Sequence, residues 1–327
     1  MVQFGLIGFG AGAAAALLFA SVTSGSWLSV LLFYIAPLPM MIAGLGWSHW
    51  SALIGALSGA LTVAVLFGPV FFFAFLASAG VPAWWLSYLA MLARPAAASG
   101  NGATPALEWY PPGRLVMWAA ILAVLIVVIA IPNFGADAES FRAGMRHALG
   151  ELLQIDTGTT RGDALNVPGI TNADKLLDFL SKALPLAAAV LATITNIVNL
   201  WLAGRVVLFS GRLARPWPDL SAMMLPRPLS GVLASAAILT FFGGMAGIIA
   251  SVVVAALLMA YGILGFAVLH AITKGLASRG LLLGGVYAAV FVIGWPVLAL
   301  CLLGLIETAM NLRARIAHMR GQPPMQT

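Results

Sequence analysis

Charge is what this sequence has least of. Only 8% of its 327 residues are Asp, Glu, Lys or Arg, where a soluble domain carries about a quarter. Residues 1–93, 228–273 and 280–306 contain none at all. No water-soluble globule can be built on such stretches, so that class is excluded. Cysteine is nearly absent too: Cys301 stands alone inside an apolar run, which excludes an internal disulfide and any cysteine-rich metal cluster. The four histidines, His49, His147, His270 and His318, are scattered without metal-ligand spacing, so no metal is expected. The phosphate loop, the dinucleotide glycine motif, the nucleophile elbow and the paired-histidine zinc motif are all missing. ATP hydrolysis, common hydrolytic chemistry and a bound cofactor therefore have no sequence support.

In place of charge there is hydrophobic length: 62% of residues are apolar and the mean hydropathy is +1.03. The charge-free runs are apolar on every side and exceed the roughly 20 residues that a helix needs to cross a bilayer. A membrane barrel would show short alternating segments. The expected fold is therefore an all-α, polytopic transmembrane helix bundle of about nine spans, at residues 4–21, 27–45, 50–67, 70–92, 115–131, 183–209, 229–243, 248–272 and 281–306. The stretch "FASVTSGS" offers small residues for signal cleavage, but the positive segment that should precede it is missing, so residues 4–21 are expected as a retained first span. The organisation follows in blocks: a four-span unit at 1–93, a loop and fifth span at 94–132, a polar amphipathic insert at 133–182, a C-terminal membrane unit at 183–312 and a polar tail at 313–327.

The formal charge of +6 lies beside spans and not in a cluster interleaved with exposed aromatics. It points to the lipid bilayer and its anionic headgroups as partner, with no nucleic acid. Arg94 and Arg114, then Arg212, Arg215 and Arg227, then Lys274 and Arg279 all fall on one face of a nine-span chain. Lys and Arg mark cytoplasmic loops, which places the N-terminus in the cytoplasm as well. The insert, with seven of the ten acidic residues, falls opposite. Arg313, Arg315 and Arg320 in the tail do not fit. A turn at Gly294–Pro296 would fold the last run into two arms and return the tail, but the first arm is then too short to span.

Within the insert, Phe141, Met145, Leu149 and Leu152 share one helical face opposite charges, which predicts an amphipathic helix at the membrane surface. Residues 157–169 read as loop. Leu176, Leu177 and Leu180 predict a second short helix running into span six. The insert is either a solvated connector or a lid.

Three constellations stand out. Gly8, Gly12, Ala16 and Ala20 form a small-residue stripe at every fourth position, suited to internal helix packing or to docking a separate subunit. Pro37 and Pro39 break span two, giving a kink or exposing carbonyls to a cavity. Thr195, Asn196 and Asn199 share one face of span six. Amides are costly in hydrocarbon without partners, so they either bond another helix or line a polar cavity as ligand-binding residues. Glu307, at the end of the last span, is expected to pair with Arg313 or Arg315.

Three segments, "APLPMMIAGLGW", "NLWLAGRVV" and "LLGLIETAMNLRAR", together resemble the YybS-like family of bacterial multi-pass membrane proteins. That family is distantly similar to the substrate-binding membrane subunits of energy-coupling-factor transporters, which dock through a small-residue stripe on their first helix. In the last segment the family often has Asp where Glu307 stands. The resemblance implies a bacterial cytoplasmic (inner) membrane location and no particular substrate. The expected function is a small-molecule binding or transport component energised by a partner, such as transporter subunits or another membrane protein. The alternatives are a non-transporting scaffold or regulator that holds a protein through its cytoplasmic loops, and an enzyme acting on lipid, for which paired acids are lacking.

Overall fold

The computed structural model describes residues 2–96, 107–157 and 172–319. In chain order the helices are α1 (Val2–Ala20), α2 (Trp27–Tyr34), α3 (Leu38–Gly46), α4 (His49–Phe67), α5 (Val70–Phe75) and α6 (Val81–Ala90). A two-stranded antiparallel hairpin, β1 (Ala93–Pro95) with β2 (Leu107–Trp109), interrupts them. Then come α7 (Pro112–Ala130), α8 (Ala138–Thr157), α9 (Ala173–Phe209), α10 (Pro228–Leu239), α11 (Gly244–Ile272), α12 (Arg279–Ile293), α13 (Val297–Met310) and α14 (Leu312–Met319). Among the described residues, seven helical segments are long and apolar enough to cross a membrane: Val2–Ser24, Trp27–Gly46, His49–Phe67, Val70–Ala90, Pro112–Asn133, Asp174–Phe209 and Gly244–Ile272. Three shorter apolar helices accompany them, Pro228–Phe242, Arg279–Ile293 and Val297–Met310.

The chain divides into two compact units, neither of them a single stretch of sequence. The first is Met1–Ala119, Ala192–Arg227 and Ala260–Thr327; the second is Ala120–Leu191 and Pro228–Met259. In the first, α1 packs along α4, and α3 along α4 and α6. A five-residue π-helical segment, Leu76–Gly80, joins α5 to α6. The expected last span, 281–306, is two helices: α12 stops at Gly294, whose φ of +81° favours glycine, and Pro296 precedes α13. At 1.5 Å per residue both arms are about 20 Å long, short of the roughly 30 Å hydrocarbon core.

The second unit is built around the insert. Phe141, Met145 and Leu149 of α8 bury their side chains with Ile131 and Leu177, and Met245, Ile248 and Ile249 pack against the cluster. The predicted face is real, but the chain itself covers most of it; only Leu152, 64% exposed, points outward. Arg146 of α8 bridges Asp174, at 3.0 Å, and Asp178. The predicted short helix and span six are one continuous 37-residue helix, α9, which accommodates Pro185. Of the expected loop at 157–169, Thr157 ends α8 and the rest lies outside the described residues, as do residues 97–106 and the tail from Arg320.

Candidate functional site

Two motifs that the sequence presents separately meet in space. Pro37 and Pro39 have no N–H, so the turn between α2 and α3 must re-pair its carbonyls. Ala36 N–H donates to Phe33 O at 3.1 Å and Leu38 N–H to Ile35 O at 3.0 Å. In an unbroken helix Tyr34 O would accept from Leu38; here it takes the Asn199 side-chain amide instead, at 2.8 Å. The same Nδ2 donates to Thr195 O at 2.8 Å, and two carbonyl acceptors fix which end of the amide carries the nitrogen. Asn196 is also buried and reaches Ala119 O at 3.4 Å, a long bond. Asn199 Oδ1 has no partner among the described residues.

The small-residue stripe is occupied by the chain's own α4. A Cβ on Gly8 would stand 2.7 Å from Ser51 O, and one on Gly12 would stand 2.4 Å from Gly55 O. Ala16 is fully buried and Ala20 partly so. These contacts make the stripe an intramolecular crossing of the small-residue kind.

The segment between α9 and α10, residues 210–227, stands out in the sequence through its basic residues Arg212, Arg215 and Arg227. It is a tied cap. Asp219 Oδ1 accepts from Ser221 N–H at 2.9 Å and from the Ser221 hydroxyl at 2.7 Å. Lys274 Nζ donates to Ser221 Oγ at 2.6 Å and stands 3.5 Å from Asp219 Oδ2. The bonds from Ser221 first, then Lys274, hold the Asp219 carboxyl below its usual range. Arg313 donates to Ser221 O at 2.6 Å and Met223 O at 2.9 Å while bonding Glu307 at 2.7 Å. The Glu307–Arg313 pair is almost wholly buried. The cap also lies on Gly113, where a Cβ would meet Met224 O at 1.8 Å. The one advance signal was the Asp219-x-Ser221 turn spacing.

Arg215, in the same segment, is only 8% exposed. It donates to Ala90 O at 2.9 Å and Tyr110 O at 3.2 Å, and burial lowers its pKa from the ordinary value. No carboxylate among the described residues pairs with it or with Arg279. Nε of each is buried without a hydrogen-bond partner among the described residues.

Under the cap is a cavity of about 780 Å³, walled entirely by residues of the first unit. Its size falls in the range of small-molecule sites. Ile197, Leu200, Trp201 and Gly204 of α9 line it at helical spacing, as do Ile263, Phe266, Ala267 and His270 of α11. The rest of the wall includes Arg215, Trp217, Asp219, Ser221, Lys274, Arg279 and Tyr287. His270 bonds Tyr287 at 2.9 Å, and Tyr287 stacks on Phe266. Asn196, Asn199, Thr195, Pro37 and Pro39 are not in this wall; the opposite edge of the same α9 stretch is. No group of residues suited to a metal occurs among those described. Comparison with known proteins finds no matching family model, no matching curated protein and no matching solved structure.

Proposed function

We propose that this chain is an integral membrane protein that binds a small molecule in the cavity between α9, α11 and the 210–227 cap, as the binding or transport component of a system energised by a partner. The observation that carries this reading is the cavity itself: a largely apolar wall with a few polar and charged groups in it, the usual composition of a ligand site. The Asn pair serves the site from behind: Asn199 holds α9 to the α2–α3 break and Asn196 reaches Ala119 O of α7. The resemblance to the YybS-like family supports the same reading and adds the bacterial cytoplasmic membrane as its place. With no nucleotide motif in the sequence, the energy for movement is assigned to another subunit.

The test is to purify the tagged chain from its own membranes and identify what travels with it by mass spectrometry, beside an Ala267→Trp variant that fills the cavity. A small molecule at near-equal stoichiometry with the wild type and lost from the folded variant is the expected result. Recovery of soluble proteins alone, equal in both, overturns the reading in favour of a scaffold.

A further inference from the structure

The wall of the cavity combines two mainly apolar helix rows with charged residues that follow those helices in the chain. On α9 the lining residues run from Ile197 to Gly204, and on α11 from Ile263 to His270. Each row covers eight residues, about 10 Å, and each helix approaches its C-terminal end over those residues. Both rows are mainly apolar. Beyond the helix ends stand Arg215, Lys274 and Arg279, with Asp219 as the lone acid in this wall. Lys274 and Asp219 answer each other at 3.5 Å, which leaves two guanidinium charges with no acid partner among the described residues. Arg215 is buried and Arg279 is half-buried with its Nε out of reach of water; a cation withdrawn from water without a counter-charge is costly and is normally neutralised by something. A guanidinium is also the side chain best shaped for carboxylate or phosphate.

Resting on the reading of the cavity as a small-molecule site, we propose that its ligand is an anionic amphiphile. The headgroup sits at Arg279 and Arg215, and a single apolar body lies along Ile197, Leu200, Trp201 and Ile263. Arg279 is the recognition residue, because Arg215 already spends two donors on Ala90 O and Tyr110 O. Burial of the apolar body supplies affinity, and the headgroup bonds set its direction. Carboxylate and phosphate heads share this chemistry.

The test uses the full chain in phosphatidylcholine nanodiscs, with brominated hexadecanoate as the probe, because bromine quenches tryptophans that it touches. Saturating quenching that is lost in a Trp201→Phe, Trp217→Phe double variant is expected. Arg279→Gln should weaken half-saturation about tenfold, the effect of one lost charge-assisted bond, while Arg279→Lys retains most of the affinity and both variants keep the wild-type melting temperature. Hexadecyl phosphate displaces the probe in the same way, and whichever binds tighter names the head. Brominated hexadecanol quenching as strongly as the acid, or indifference to Arg279→Gln in a folded protein, overturns the proposal and leaves an apolar small-molecule site standing. Displacement by equimolar inorganic phosphate overturns it in favour of a soluble anion. No quenching by acid or alcohol removes both the proposal and the reading of the cavity beneath it.

Discussion

Asn199 shows how one amide can be required by a feature far away in the chain. Pro37 breaks the regular pairing of its helix, Tyr34 O is left over, and Asn199 takes it from another helix at 2.8 Å. Asn199→Leu leaves that carbonyl unbonded in an apolar interior and should cost about 1–2 kcal/mol. Pro37→Ala restores an N–H and lets the helix close, so a double variant should lose less than the sum of the two single ones. Thermal unfolding of the four proteins measures the coupling; strict additivity would show that the two residues act apart. From sequence, both the amide and the prolines were visible as anomalies in an apolar run. Their partnership was not, because Tyr34 and Asn199 are 165 positions apart and nothing local to either specifies the other.

The 210–227 segment is the element in which folding and the site meet. Its anchor is Arg313, buried against Glu307 and two carbonyls of the segment. Removing one partner of a buried pair leaves the other charge stranded, which costs about 3–5 kcal/mol. Arg313→Met should therefore destabilise the protein by that order and release the cap, seen as faster proteolysis at residues 214–226, whereas Glu307→Leu combined with Arg313→Met should recover part of the stability. A second clamp is Asp219, bonded to Ser221 and Lys274. Its carboxyl lies below the usual value in the folded protein, so the unfolded chain takes up its proton first as pH falls. The clamp contributes fully above about pH 4, the ordinary carboxylate value, and its contribution is lost as pH drops below that toward the lower folded value. Melting temperatures of wild type and Asp219→Asn should differ from pH 7 to pH 5 and converge in the most acid range; a constant gap would remove Asp219 from the clamp. The sequence showed this segment as prolines and arginines, and those marks suit an idle loop equally well.

For the whole molecule, the fate of the tail follows from the same contacts. Arg313 and Lys274 both bond Ser221, so the end of α13 lies with the loops that carry Arg212, Arg215 and Lys274. The two-arm form of 279–310 thereby returns residues 313–319, the described part of the tail, to the side of those loops. Reporter fusions after Met319 and within residues 275–278 should give the same sidedness, and a reporter after Gly68 the opposite one. Opposite signals at Met319 and 275–278 would contradict the fold of α12 and α13.

Composition and the absence of charge were enough to determine that the chain is helical and suited to a bilayer, since only closed backbone pairing survives in hydrocarbon. The small-residue stripe, the apolar face of α8 and the Glu307–Arg313 pairing were also legible, because each depends on spacings of three to six residues. Only the tertiary structure decided which helix meets the stripe, that the last apolar run is two arms and that α9 has no break at the membrane edge. It alone assembled the cavity, whose wall draws on residues from Leu45 to Tyr287. A cavity belongs to surfaces brought together from distant parts of the chain, and hydropathy assigns the same value to a leucine that faces lipid and to one that faces a ligand.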